Sequence, residues 1–434
     1  MKNLLTNPRK IELLGAEEKL IQLISSSRNH QWRIALYSHD TMGLGHKRRN
    51  LLIAQTLGYS PLETDILIIS GIQDSCNFPI PSGVDCLSLP ALSKNINGEY
   101  KARRLSLSLQ EIIKLRSQII LTTMKNFQPD IFIVDNVPRG AVRELEPTLN
   151  YLRHQGKTHC ILGLRDVLDE PVSVKRDWKR MENEKAIQTY YDAVWVYGDP
   201  RIYDLAKEYN FHSETIKKLH YIGYLDQRKR LKFIDSESIQ AFKSLNLSEK
   251  KLALCLVGGG QDGANLAETF AHTQLPLDMN GIILTGPFMP REVQQKLQKL
   301  AAKRDNLQVL KYLSEPTLLV NRAERVIAMG GYNTTCELLS FQKKSLIIPR
   351  IKPRKEQFVR AERLQSLGLV DMLHPQNFTS ETLTNWLNTE TKKPQVRNFV
   401  NLNGLNHISQ LIDEILIDKY STNKNQLFQK VKMQ

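Results

Sequence analysis

Short apolar runs rich in β-branched residues alternate with longer amphipathic segments along most of this chain, and that alternation leaves few folds open. "RIALYS" (33–38), "DILIIS" (65–70), "DIFIVD" (130–135), "HCILGL" (159–164) and "AVWVYG" (193–198) read as buried strands. Between them, segments such as 101–126 and 141–154 carry a helical apolar stripe. Strand, helix, strand, repeated, predicts a parallel sheet with helices on both faces. The pattern pauses after "YIGYL" (221–225), runs through a polar, charged stretch, and resumes with "KLALCLVGG" (251–259), "GIILTG" (281–286), "LQVLKYL" (307–313), "RVIAMGG" (325–331) and "SLIIPR" (345–350). With 434 residues the chain is also too long for one ordinary core. The expectation is an α/β protein of two doubly wound parallel-sheet domains, 31–225 and 250–403, joined by a linker over 226–249 with a short helix. Residues 1–30 are expected to form an accessory amphipathic helix, 404–420 a helix packing across both domains, and 421–434 a loose polar tail.

A net charge of +15 favours an anionic partner: a nucleotide, a nucleic acid or an acidic lipid surface. The basic residues are scattered, and no aromatic-interleaved basic motif occurs, which weighs against nucleic acid. The five cysteines are odd in number and contain no C-x-x-C, so neither a disulfide framework nor a zinc site is suggested, and a reducing, cytoplasmic setting is expected. No apolar run approaches the roughly 20 residues that span a bilayer.

In open parallel sheets, ligands bind beyond the carboxyl ends of the strands. The residues at those ends are therefore the candidates. In "RVIAMGGYNTTCELLS" two glycines separate a strand from a helix, and a helix N-terminus holds phosphate well. Thr334 and Glu337 have capping-box spacing. Glu337 therefore either closes its own helix or accepts from ribose hydroxyls. In "LCLVGGGQDGANL" a glycine run again leads into a helix, a weak phosphate-cradle signal without the G-K-[ST] of a P-loop. Gln357, in the first turn of the helix after "SLIIPR", is a candidate for sugar hydroxyls. In the first half, "SHDTMGLGHKRRN" places His46 at a helix opening, with Lys47, Arg48 and Arg49 as solvent or phosphate-steering groups. Asp135, Arg139, Arg165 and Asp166 end two further strands. They either line an acceptor cleft or, for Arg165 and Asp166, form a structural ion pair.

"GLGHKRRNLLIAQTL" and "MGGYNTTCELLSFQKKSLIIPRIKPRKEQFVRAERLQSLGL" together resemble the GT-B glycosyltransferases, in particular the MurG-type group with a family 28-type C-terminal domain. "VDNVPRG", "LGLRDVLD" and "VWVYGDPRIYD" are similar to an uncharacterised bacterial family of predicted glycosyl transferases. The resemblance implies two Rossmann-like domains facing a central cleft, with a nucleotide-diphosphate sugar, most often UDP-linked, on the C-terminal domain. On matching positions it implies that Gly330, Gly331, Asn333 and Thr334 approach the diphosphate, that Glu337 holds the ribose, that Gln357 contacts the donor sugar, and that Gly259 and Gly260 lie near the phosphates; Arg360, at a position that departs from the family, is a further donor-binding candidate. His46 would face the reaction centre as a base or as a partner of the leaving diphosphate. Gly43, Gly45, Asp135, Arg139, Arg165 and Asp166 fall on the acceptor side of the cleft. The loop before His46 has one glycine fewer than the MurG type and lacks its following proline, and Arg360 stands where that type has asparagine. The implied reaction is transfer to an acceptor hydroxyl, lipid-linked or small, with inversion and no required metal or cofactor, and peripheral contact with anionic membrane is compatible with it. A UDP-sugar epimerase on the same architecture and a non-catalytic basic nucleic-acid or membrane-surface binder are the alternatives.

Overall fold

In a computed structural model of the protein, residues 31–39, 45–60, 62–71, 80–94, 99–260, 262–390 and 392–432 are described, by backbone alone at Lys94 and over 422–432. The expected helix over 1–30 and the candidate Gly43 lie outside the described residues.

Two parallel sheets organise the chain. The first holds β1 (Trp32–Ser38), β2 (Thr64–Ser70), β3 (Val84–Ser88), β6 (Ile131–Asp135), β7 (His159–Arg165), β8 (Ala193–Tyr197) and β9 (Leu219–Tyr221), ordered β3-β2-β1-β6-β7-β8-β9. A separate antiparallel pair, β4 (Leu92–Lys94) and β5 (Tyr100–Ala102), lies between β3 and β6 in the chain. The second sheet holds β10 (Lys251–Leu256), β11 (Met279–Leu284), β12 (Leu307–Leu310), β13 (Arg325–Ala328), β14 (Lys344–Ile347) and β15 (Asp371–Met372), ordered β12-β11-β10-β13-β14-β15. All pairings within both sheets are parallel. Helices cover both faces, so central strands such as β6 "IFIVD" and β8 "AVWVY" are buried at every position.

The order of each sheet reverses once. In the first the chain steps outward from β1 to β3 and returns to place β6 against β1; in the second β13 returns against β10. A crevice opens at such a switch point, because the connections on either side leave in opposite directions. The helices that follow the switch strands are α1 (Gly45–Leu57) in the first domain and α3 (Ala264–His272) and α5 (Tyr332–Ser340) in the second, with α4 (Thr317–Arg322) between the latter two. A further helix, α6 (Glu356–Ser366), follows β14.

Two expected helices start later than their apolar pattern suggests. Residues 101–126 contain β5 and then α2 (Leu109–Phe127), which begins where Ser108 and Glu111 form a capping box. Residues 141–154 contain a 3₁₀ turn, Ala141–Arg143, before the helix Glu146–Gln155. At the other end, α7 runs Gly404–Lys432 and so continues through the stretch expected to be loose. It returns to the first domain: Ser60 Oγ donates to Asp413 at 3.4 Å and Lys419 Nζ pairs with Asp130 at 2.8 Å.

The largest apolar cluster does not stop at the domain boundary. It runs from the faces of β1 and β6 through Tyr224 and Leu225 to Tyr332, Cys336 and Leu364 of the second domain, and on to Leu405 and Leu416 of α7. The two switch points are thus held face to face by a shared core. Among the described residues, no helix is long and apolar enough to cross a membrane.

Candidate functional site

In the first domain, α1 opens at Gly45, so His46 stands in its first turn beside the end of β6. Its Nδ1 lies 2.5 Å from Asp135 Oδ2. Arg49, one turn further along, closes on the same carboxylate through Nη2, 2.5 and 2.6 Å from its two oxygens. Asp135 is buried, which alone would raise its pKa, but Arg49 and His46 outweigh burial and hold it well below the ordinary carboxylate value. An ionised carboxylate only accepts, so the short contact requires a proton on His46 Nδ1, and in the singly protonated ring that tautomer leaves Nε2 bare. The Arg49 guanidinium, 3.1 Å from the same Nδ1, cannot also be accepted there. It is fixed instead over the rings of Tyr197 and Tyr332, at 5.5 and 5.2 Å.

The second domain offers backbone. After β10 the chain turns through Gly258 (φ +70°), and after β11 through Gly286 (φ +80°). A Cβ on Gly286 would sit 2.2 Å from Gly258 O, so these two turns meet only because glycine is there. After β13, Gly331 forms the N-cap of α5 and no side chain caps the helix. Its first amide groups are therefore available to a ligand. The helix starts at Tyr332, which puts Thr334 inside the first turn rather than at the cap, so the capping box expected between Thr334 and Glu337 is absent. Glu337 instead turns toward the cleft.

The cleft between the domains is lined by Gly45, His46, Arg48 and Arg165 from one side and by Gly258, Gly259, Gly331, Asn333, Thr334 and Glu337 from the other. Asn333 Nδ2 donates to Gly45 O at 2.7 Å, so the two helix openings touch. Arg48 spans the cleft: Nη2 is 2.8 Å from Glu315 Oε1 and 3.7 Å from Glu337 Oε1. Arg230, from the linker, is buried behind it and donates to Arg48 O at 2.6 Å. Burial and Arg48 push the Arg230 guanidinium down to about 10. Burial raises the Glu337 carboxyl above its ordinary value, with Arg48 and Arg230 pulling the other way. Burial acts on Glu315 too, but there Arg48, Arg230 and the Thr317 hydrogen bonds win and lower it. In this linker stretch, residues 227–233, Gln227 and Arg230 are interior while Arg228 and Lys232 are exposed.

Several candidates sit elsewhere than their spacing implies. Arg360, read as a donor-binding candidate, is fully buried. It pairs with Asp166 of the other domain at 2.7 Å, and its Nη1 donates to Gly330 O. Asp166 is therefore an interdomain clasp rather than a partner of Arg165 or a cleft wall. Gln357 is buried, and its Oε1 accepts from the Arg350 amide at 3.0 Å. Arg139 is buried against Glu146 and the Met181 carbonyl, outside the cleft. Gly260 and Gly330 lie behind the lining, where their positive φ shapes the turns. Asp135 is buried below the cleft surface, in contact with His46. Tyr332, Gly286 and Glu315 belong to the cleft or its support and were not singled out by sequence. Glu315, in the polar turn after β12, carries no glycine or motif to mark it.

Residues 254–414 match the model of the glycosyltransferase family 28 C-terminal domain. A relative from Streptococcus equi subsp. zooepidemicus is the UDP-N-acetylglucosamine–N-acetylmuramyl-(pentapeptide) pyrophosphoryl-undecaprenol N-acetylglucosamine transferase. It is 29% identical over 170 residues, which are 38% of this chain and 45% of the relative. The chain thus spans about half the length of the curated relatives it first matches. An uncharacterized glycosyltransferase of Methanosarcina mazei is 22% identical over 71% of this chain and 77% of its own. Among solved structures, Acinetobacter baumannii MurG aligns with TM-score 0.53 and 14% identity over 88% of this chain and 99% of its own. The UDP-GlcNAc 2-epimerase of Neisseria meningitidis, solved with UDP-GlcNAc, aligns with TM-score 0.58 and 15% identity over 89% and 100%. The fold is the MurG-like GT-B arrangement of two Rossmann-like domains, and the second domain is of the family 28 C-terminal type.

Proposed function

We propose that this chain, whose second domain is of the glycosyltransferase family 28 C-terminal type, moves a sugar from a nucleoside-diphosphate donor, UDP-linked, to an acceptor hydroxyl with inversion. The observation that carries the reading is the meeting of two helix openings. The uncapped N-terminus of α5 faces an imidazole whose Nε2 is left bare by Asp135. In this reading the diphosphate lies on the amides of Gly331, Tyr332 and Asn333, and Glu337 accepts from the ribose hydroxyls. The acceptor oxygen bonds to the anomeric carbon as the bond from that carbon to the phosphate oxygen breaks, through an oxocarbenium-like state. His46 Nε2 takes the acceptor proton, and ionised Asp135 steadies the imidazolium that forms. The electron pair leaves on the diphosphate, where helix amides and cationic side chains meet the growing charge. No step assigns work to a metal or a resident cofactor.

The family 28 domain match supports transfer over epimerisation, and the scatter of the basic residues along the chain weighs against a nucleic-acid binder. The acceptor side lies in the first domain, and a cytoplasmic setting, at the membrane face when the acceptor is lipid-linked, goes with this reading. The test is turnover. Purified protein given UDP-sugars and a panel of acceptors releases UDP at a rate that His46→Ala lowers by about 10²–10⁴-fold, as expected for a lost general base. Formation of an epimer from a UDP-sugar alone, or a fully active His46→Ala protein, would overturn the proposal.

A further inference from the structure

The cations of the cleft are mostly neutralised within the protein. His46 and Arg49 share Asp135, and Arg48 holds Glu315 and Glu337. Arg165 differs. It ends β7, lines the cleft, and makes no ion pair with a carboxylate among the described residues. Its one hydrogen bond runs from Nε to Asn136 Oδ1 at a long 3.4 Å. Burial pushes its guanidinium below the ordinary value. Its side chain is only half-buried, so the five donors of the fixed guanidinium fork stay open to a ligand that enters the cleft.

The nearest carboxylate by charge influence is Glu356, at the start of α6, and it is also incompletely used. Its Oε1 accepts from Arg350 at 2.8 Å, whereas the buried Oε2 has no hydrogen-bond partner. Arg165 and Glu356 therefore feel each other without touching, and Glu356 is buried behind the cleft lining rather than part of it. The groups that act on Arg165 are Glu356, Arg360, Arg49 and Asp135. Those that act on Glu337 are Arg48, Arg230 and Glu315. Arg165 ends β7, where Gly163 lies in register with Asp135 of β6, and its Nε reaches Asn136, the residue after Asp135; Arg165 thus stands beside the His46–Asp135 pair, whereas Glu337 is held by Arg48.

We infer that Arg165 recognises an anionic group, carboxylate or phosphate, at the sugar end of the cleft. The group is carried either by the transferred sugar, as in a uronic acid, or by the acceptor. A fork–fork pair with that group completes the guanidinium. The inference rests on the proposed nucleotide-sugar reading, with Glu337 at the ribose end.

Calorimetric titration of the full chain, wild type and Arg165→Gln, with UDP, UDP-glucose and UDP-glucuronate separates the sources. If the donor sugar carries the anion, wild type binds UDP-glucuronate about tenfold or more tightly than UDP-glucose. The gap closes in Arg165→Gln, while UDP itself binds both proteins alike. If the acceptor carries it, the two donors bind equally, but sn-glycerol 3-phosphate binds UDP-loaded wild type and not UDP-loaded Arg165→Gln. Arg165→Lys, which keeps the charge, retains part of either effect, which guards against a merely structural loss. The inference falls if Arg165→Gln alters neither preference, or if it weakens UDP as much as the sugars, which would assign Arg165 to the diphosphate. Failure of UDP to bind wild type is a separate result. It removes the nucleotide-sugar reading, and this inference with it.

Discussion

Replacing Asp166 by asparagine tests whether Arg360 is a clasp between domains or a donor contact. Arg360 is fully buried, and three of its hydrogen bonds go to the two Asp166 oxygens at 2.7–3.0 Å. Tyr224 OH donates to the same carboxylate at 2.8 Å. The Asp166→Asn substitution would leave a buried guanidinium facing a neutral amide. Breaking such a pair from one side costs about 3–5 kcal/mol. The amide oxygen still accepts, and Gly330 O and Val167 O remain as acceptors, so the lower end applies. At about 2.1 cal/mol/K of unfolding entropy per residue over the 434-residue chain, about 3 kcal/mol lowers the melting temperature by roughly 3 °C. The double variant Asp166→Leu with Arg360→Met leaves no orphan charge, and it recovers to within about 1–2 kcal/mol of wild type, the remainder reflecting the unpaired Tyr224 hydroxyl. Thermal unfolding followed by circular dichroism reads both, and UDP titration of the double variant reads the site. An Asp166→Asn protein that melts with wild type would refute the clasp. A folded double variant that no longer binds UDP would return Arg360 to the donor site.

Four further outcomes follow from named contacts. Asp135→Asn lowers turnover by at least tenfold with donor affinity unchanged, because the neutral amide no longer steadies the imidazolium and its NH2 can donate to Nδ1, which moves the ring proton to Nε2; steady-state kinetics with separate kcat and KM checks this. The same residue contributes to acid stability. Its folded pKa lies below the ordinary 3.8, so the unfolded chain binds the extra proton first, and stability present above pH 3.8 drains as pH falls through that window. Asp135→Asn makes that acid limb shallower in urea titrations across pH. Arg48→Ala frees Glu337 from its cross-cleft partner and leaves Glu315 buried beside Arg230 alone, so the free protein is destabilised by about 1–3 kcal/mol while UDP affinity changes less than tenfold. Gly286→Ala drives a Cβ into the Gly258 carbonyl, and both melting temperature and nucleotide binding fall together.

The sheets were legible because their central strands are buried on both faces and so read as unbroken apolar runs. The edge strand β3, "VDCLS", is only partly covered, and β15 has two residues, so neither leaves such a run. The helix starts at 109 and 146 were blurred because apolar residues continue into the preceding hairpin and 3₁₀ turn. In the site, the glycine turns and His46 were visible as strand-end features. The partners were not, because they are set by packing across the domains: Arg48 and Glu315 are 267 residues apart, Arg360 and Asp166 are 194. A helical arginine with a partner that distant has the local sequence of a solvated one. Glu337 was the opposite case, since its spacing fitted a cap that α5 does not use.

The most direct measurement is the melting temperature of the full chain with and without UDP, for wild type and Glu337→Ala. A ligand held only by the folded state at a hundred times its Kd adds about 2.7 kcal/mol of stability. The account predicts a clear upward shift for wild type at saturating UDP, and at the same UDP concentration a much smaller one for Glu337→Ala, whose ribose hydroxyls lose their carboxylate. No shift with any nucleoside diphosphate, or an equal shift in both proteins, would contradict it.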